Sequence, residues 1–206
     1  MASALAIGAG FGAATSLVNA ISHSYADLSS RAYTVSGWSV PEIIGVLLDS
    51  GWSWAGLAVA VGWLVTRTEQ SRSAALAESA AAGALALLAA TAAYSIVDTV
   101  RSAGLSPWYG SEPLVWWVTS VIFGAPLGAI GACVKRPGVM GVLARLTVPV
   151  GAAVQMVVLT PGRNEVIEAI GKTIVWTGAA AIIGFILVHF FLVERRRRTV
   201  ATAESP

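Results

Sequence analysis

An aspartate and two tryptophans lie together where a membrane-spanning helix should begin. In LLDSGWSWAGLAVAVGWLV, Asp49 precedes Trp52 and Trp54, and the residues after them are mostly apolar. A carboxyl held against tryptophan and away from water keeps its proton more readily, and such a group can act as a general acid. The indole rings could stabilise a cation through their quadrupoles. The alternative is that Asp49 is the N-cap of the helix that begins near Gly51.

A second carboxyl, Asp98, ends an apolar stretch that also carries a phenol. Thr91, Tyr94 and Asp98 are spaced i, i+3, i+7, so they share one stripe of a helix. Tyr94 and Asp98 are therefore expected above one another near the membrane boundary. The alternative is a surface ion pair between Asp98 and Arg101, three residues further along the helix.

Polar residues with the same spacing occur in the first apolar segment, at Ser16, Asn19 and His23. Polar side chains at membrane depth face other helices or a cavity rather than lipid. Gln155 has a similar position in the fifth apolar segment. Hydrogen bonds between helices are the simpler interpretation, and Asn19, His23 and Gln155 are also candidate substrate-binding residues.

Aromatic residues are concentrated toward the same side of the expected bundle. An aromatic belt that anchors the protein at the lipid headgroups would explain them, although belt residues are expected at both membrane faces. The alternative is an aromatic lining that stabilises a cation. The candidate lining residues are Trp52, Trp54, Tyr94, Trp108, Trp116, Trp117 and Trp176.

The composition indicates an integral membrane protein that positions these residues on helices. Hydrophobic residues make up 56% of the 206 residues and charged residues 12%, against about 25% charged in soluble domains. A membrane-spanning helix needs roughly 20 apolar residues. Six segments approximately qualify, at 3–21, 51–66, 74–97, 114–134, 139–159 and 170–193.

One further helix is expected before the second segment. Pro41 favours the first turn of a helix, so PEIIGVLLD (41–49) predicts a separate short helix, interfacial or re-entrant, with a break at Asp49-Ser50-Gly51. The predicted fold is an all-α membrane protein with about six transmembrane helices and this short helix. Residues 1–194 form one helical bundle, and 195–206 form a basic cytoplasmic tail that is expected to be disordered.

The basic residues predict the orientation of this bundle. Arg67, Arg72, Lys135 and Arg136 follow the second and fourth segments, and four arginines follow the sixth. Cytoplasmic connections carry the excess of Lys and Arg, so both termini are predicted inside a multi-pass plasma-membrane protein. Asp49 and Asp98 then lie on the outer side, where the longer connections, 22–50 and 98–113, also lie.

Several kinds of enzyme are excluded by what the sequence lacks. It has no Gly-x-Ser-x-Gly, no His-Glu-x-x-His and no catalytic Cys–His pair. The Asp-rich motifs that hold magnesium and diphosphate in prenyl transferases are missing too. Single carboxyls in an aromatic setting remain, with no metal, no cofactor and no nucleic acid partner expected.

Small size, a helical bundle, isolated outer carboxyls and abundant tryptophan together resemble membrane-bound terpene cyclases. The nearest likeness is to the small actinobacterial kind that cyclises farnesylated cyclodipeptides in drimentine-type pathways. The chain also resembles a broad set of actinobacterial membrane proteins, notably around LLDSGWSWAGLAVAVGWL and SPWYGSEPLVWWVTSVIFGAPLGAIGA. The resemblance implies acid-initiated (class II-like) cyclisation, an isomerase or lyase reaction without cofactor, on a prenylated small molecule that enters from the bilayer.

In such a cyclase, a protonated Asp49 or Asp98 would give its proton to a terminal alkene or epoxide, with the other carboxyl as its partner. The aromatic lining would then stabilise the successive carbocations. Two other functions fit the same residues. One is a small transporter or binding protein for an apolar or cationic compound, which would be expected to form homo-oligomers. The other is a structural subunit of a larger membrane complex.

Overall fold

The chain folds into seven helices in a computed structural model that describes residues 1–28, 38–66, 72–101, 111–159 and 165–203. These ranges contain no β-strand. The helices are α1 (Ala2–Leu28), α2 (Val40–Leu48), α3 (Gly51–Val65), α4 (Arg72–Arg101), α5 (Ser111–Cys133), α6 (Val139–Val158) and α7 (Glu165–Ala203).

The lengths and hydropathies of these helices are those of a helical membrane protein. In the described ranges, α1, α4, α5, α6 and α7 are each long and apolar enough to cross a bilayer. The pair α2 and α3 passes the same test jointly, with a bend of 58° at the break, and counts as a sixth span if taken as one. The all-helical architecture predicted from the sequence is confirmed at this level.

Two helices run further than the apolar segments predicted. Helix α1 continues to Leu28, seven residues past the segment 3–21. Helix α7 continues to Ala203, through most of the segment 195–206 for which we expected a disordered tail. Arginine and alanine have high helix propensity, so the end of the apolar segment does not end the helix.

Local signals in the sequence explain α2. Ser39 is the N-cap: its Oγ accepts a hydrogen bond from the Glu42 backbone N–H (3.4 Å) and donates one to Glu42 Oε2 (2.8 Å), so this hydroxyl satisfies one of the free N–H groups of the first turn. Pro41 lies in the first turn. The predicted short helix and the break after it are therefore confirmed.

The bend gives Asp49 a different role from the cap considered above. Asp49 is the C-cap of α2, and its backbone N–H donates to the carbonyl of Gly45 (2.9 Å). The N-cap of α3 is Ser50, which makes no side-chain cap hydrogen bond. The alternative of Asp49 as N-cap is wrong, because α3 begins at Gly51 and the residue before it, Ser50, has the extended backbone of an N-cap.

Glycines bring α1 against α4, the helix that has the most extensive contacts with its neighbours. A Cβ at Gly8 would lie 2.1 Å from the carbonyl oxygen of Ala86, and a Cβ at Gly12 would lie 1.9 Å from that of Ala90. Small residues allow backbones to approach this closely in membrane helices. Because the contacts advance in the same direction on both helices, α1 and α4 are parallel.

The other face of α4 packs on α5 in the same way. A Cβ at Gly128 would lie 2.2 Å from the carbonyl oxygen of Ser79, and one at Gly83 would lie 2.4 Å from that of Gly124. Between these helices, the hydroxyls of Thr91 and Ser120 are hydrogen bonded at 2.9 Å. Helices α6 and α7 pack on each other and against α3 and α2 respectively.

Candidate functional site

Three of the predicted side chains, from three parts of the chain, meet at one end of the bundle. Asn19 Nδ2 on α1 donates to Asp49 Oδ2 at the bend (2.8 Å) and to the Tyr94 hydroxyl on α4 (3.3 Å). Asn19 is 7% exposed, so a buried amide holds the carboxyl in place. We call these residues the Asn19–Asp49–Tyr94 cluster.

The apolar and aromatic residues next to Asp49 in the sequence suggested a carboxyl shielded from solvent, but the structure leaves it more open. Asp49 is exposed, a point that the sequence alone left open. As the C-cap of a nine-residue helix, it lies at the surface of the bend. Oδ1 accepts no hydrogen bond from any described residue, so this oxygen is accessible to a ligand.

Aromatic rings continue from the cluster toward the core. The ring centroids of Tyr94 and Trp54 are 6.4 Å apart, and Trp54 meets Phe11 edge to face at 5.5 Å. Trp54 and Phe11 also pack on an apolar cluster between α1, α3 and α4. Phe11 was missed by the sequence analysis, although it shares the helical stripe of Asn19 at i, i+8.

Serines and one glutamine hold the bend that presents Asp49. Ser50 Oγ donates to the Val46 carbonyl, and Ser53 Oγ donates to the Ser50 carbonyl (2.7 Å). Gln155 Oε1 on α6 accepts from the Trp52 backbone N–H (2.8 Å), so it caps α3 from a neighbouring helix. Gln155 therefore has an observed structural role, and its contact with a substrate stays a prediction.

The second candidate carboxyl, Asp98, is exposed one turn beyond Tyr94 on α4. Among described residues the ion pair is between Glu168 and Lys172, at 2.6 Å, and Asp98 and Arg101 form none with each other. The stripe that contains Asp98 is divided between neighbours, because Thr91 bonds to α5 while Tyr94 bonds to α1.

The predicted aromatic lining is only partly assembled. The Trp52 ring packs with Ala152, Met156 and Val175, away from Trp54, and its Nε1 is buried without a hydrogen-bond partner among the described residues. Trp116 is 59% exposed and Trp176 45% exposed, as in the aromatic belt considered above. Trp117 is half-buried. The side chains of Trp108 and His23 lie outside the described residues.

The site offers acid chemistry rather than metal chemistry in the part of the chain that is described. No group of three His, Cys, Asp or Glu side chains there could hold a metal ion. An amide-anchored carboxyl beside a phenol and an indole can donate a proton and accommodate a cation. Comparison of the chain with family models, with curated proteins and with solved structures found no match.

Proposed function

We propose that this chain is a membrane-bound isoprenoid cyclase in which Asp49 is the proton donor. The observation that carries the proposal is the 2.8 Å hydrogen bond from the buried Asn19 amide to an accessible carboxyl, with Tyr94 and Trp54 next to it. A fixed acid beside aromatic faces is what protonation of an alkene and stabilisation of the resulting cation require.

The hydrogen bonding suggests which carboxyl oxygen carries the proton. Asn19 donates to Oδ2, so Oδ2 is the carbonyl oxygen of the protonated acid and Oδ1 carries the hydrogen. The Oδ1–H bond breaks as the electron pair of a terminal alkene forms a C–H bond, or as an epoxide oxygen takes the proton. The amide then stabilises the carboxylate that remains.

Ring closure needs no further reagent. The cation is attacked by the electron pair of the next double bond, which forms a carbon–carbon bond and moves the charge along the chain. Loss of a proton to the Asp49 carboxylate or to water ends the sequence and leaves the substrate's atoms unchanged in number. Cations near an aromatic face gain about 2 kcal/mol when desolvated, and Trp54, Tyr94 and Phe11 supply such faces.

The substrate would reach the cluster from the bilayer. Its apolar chain would lie beside Phe11 and Trp54, where packing on the apolar cluster excludes water, and its terminal alkene would cover Asp49. The basic residues Arg72, Lys135 and Arg136 lie at the opposite end of the helices, so the positive-inside rule places Asp49 on the outer side. With the bent pair α2 and α3 counted as one span, the described helices make six spans, and we expect both termini in the cytoplasm.

Turnover of a farnesylated acceptor by the purified protein in nanodiscs tests the proposal, with products identified by mass spectrometry and NMR. Wild type is expected to form a cyclic isomer of unchanged mass, and Asp49→Asn to form none. Glu165→Gln, which changes an exposed acid in the first turn of α7, is the matched control. Unchanged turnover in Asp49→Asn would refute the assignment, and a loss of turnover in Asp98→Asn alone would move the role to Asp98.

A second candidate function is binding or transport of a cationic or aromatic compound. The exposure of both Asp49 and Asp98 favours it, because an accessible carboxylate beside an indole can bind a cation without changing it. Ligand recovered unchanged, together with proton-dependent flux in proteoliposomes, would support this function over the cyclase. Six spans are few for a monomeric transporter, so this function also predicts a homo-oligomer.

A further inference from the structure

A buried hydroxyl without a partner lies one helical turn from Asn19. Ser16 is 2% exposed, and its Oγ makes no hydrogen bond to any described residue. The adjacent Thr15 is 0% exposed, but its Oγ1 donates to the Phe11 carbonyl at 2.9 Å. Buried polar groups nearly always have a partner, often an ordered water. Ser16 therefore has a hydroxyl that no described residue satisfies.

The register of α1 and α4 places this hydroxyl beside the candidate site. Gly8 lies against Ala86, and Gly12 lies against Ala90. The next turn of two parallel helices brings Ser16 to the level of Tyr94. Residues three apart share a helix face, so Ser16 and Asn19 face the same neighbours. Ser16 is thus on the inner side of the Asn19–Asp49–Tyr94 cluster.

We propose that Ser16 Oγ binds one oxygen atom of a ligand at the inner side of this cluster. An apolar region adjoins the cluster, since Ala90 belongs to the apolar cluster on which Phe11 and Trp54 pack. A long apolar molecule with a single oxygen matches a polar group at the edge of such a region. The oxygen belongs to the molecule itself, as a hydroxyl, an epoxide or a carbonyl.

The isoprenoid nature of the ligand rests on the proposed function. The unsatisfied hydroxyl of Ser16 is observed independently of that function. For the cyclase it assigns Ser16 as a positioning residue that sets the depth of the substrate. An oxygen bound at Ser16 would fix how far the terminal alkene lies from Asp49. The Asp49 carboxyl lies about one to two helical turns further out than Ser16.

Binding of two probes tests the proposal: farnesol and its deoxygenated hydrocarbon analogue. Both are measured in nanodiscs in the Asp49→Asn background, so that no turnover interferes. One hydrogen bond corresponds to about tenfold in affinity. Farnesol is expected to bind about tenfold more tightly than the hydrocarbon, and Ser16→Ala is expected to remove that difference. Thr15→Val, whose lost hydroxyl was bonded within its own helix, is expected to keep it.

The remaining outcomes distinguish a bound ligand oxygen from a site that holds only a water or nothing. If both probes bind alike and Ser16→Ala does not raise the unfolding temperature, a water alone satisfies Ser16 and the proposed contact with a ligand oxygen is overturned. If both bind alike and Ser16→Ala is more stable, the hydroxyl is simply unsatisfied and the proposal fails. A farnesol preference that survives Ser16→Ala also overturns it. Ser16→Ala could remove the preference for farnesol while wild type forms no cyclised product. That result would support the binding site at Ser16 and contradict the proposed cyclase activity.

Discussion

Replacing Gly12 with alanine is the strictest test of how α1 is seated on α4. The new Cβ would lie 1.9 Å from the Ala90 carbonyl oxygen and 2.6 Å from its carbon. Both are backbone atoms and cannot rotate away. Ordinary contact begins at 3.4 Å, so the helices must separate by 3.4 − 1.9 = 1.5 Å at this point.

A separation of that size has a large effect on packing. A gap of 0.5–1 Å already forfeits roughly a quarter to a half of the dispersion energy of an atom pair. Overpacking typically costs about 1–3 kcal/mol, and a backbone-to-backbone clash belongs at the upper end. We therefore expect Gly12→Ala to destabilise the protein by about 3 kcal/mol. The shift also lengthens the 3.3 Å contact between Asn19 and Tyr94 beyond hydrogen-bonding distance.

Thermal unfolding in detergent measures this effect, with a thiol-reactive dye that reports exposure of Cys133, the single cysteine. A loss of 3 kcal/mol lowers the midpoint by roughly 6–12 °C for a chain of this size. Gly10→Ala is the matched control, because a Cβ at Gly10 meets nothing within 4 Å and alanine is the better helix former. Equal midpoints for the two variants would refute the close seating of α1 on α4.

Two further substitutions test the bend. In Gly45→Ala the new Cβ would lie 2.9 Å from Asn19 Oδ1, so the amide must turn away from Asp49. Turnover is expected to fall at least tenfold while the unfolding midpoint changes little. Unchanged turnover would contradict this prediction. Gln155→Leu removes the acceptor of the Trp52 N–H and should cost about 1 kcal/mol, measured by the same unfolding assay. Gln155→Glu keeps an acceptor oxygen there and should restore stability.

The parts of the fold that depend on local signals could be predicted from the sequence. The length of the apolar segments gave the long helices, and Pro41 predicted a short helix that ends at the bend. Ser39 adds the N-cap that the structure shows there. Each of these signals acts within one or two turns of chain, so no knowledge of the neighbouring helices was needed.

The meeting of Asn19, Asp49 and Tyr94 could not be predicted in the same way. Each was a candidate by type and spacing, but their contact depends on the register of α1 against α4. That register follows from glycine contacts such as Gly12 on Ala90. The i, i+4 spacing of Gly8 and Gly12 is typical of close helix packing, but it does not specify the partner helix or the level at which the two helices meet.

Proximity in the sequence was also misleading for the tryptophans. Trp52 and Trp54 are two residues apart, which is about 200° around a helix. They consequently pack in different clusters, Trp52 with α6 and α7 and Trp54 with α1 and α4. The sequence placed both beside Asp49, whereas the structure connects Trp54 alone to the site, through Tyr94.

The origin of the transferred proton tests the central proposal most directly. Purified protein in nanodiscs is given a farnesylated acceptor in deuterated water, and the product is examined by mass spectrometry and NMR. Because Asp49 is accessible, its proton exchanges with solvent before each turnover. We expect one deuterium at the carbon that was the terminal alkene, and no cyclic product from Asp49→Asn. A cyclic product without deuterium at that carbon, or formed equally by Asp49→Asn, would contradict the proposal.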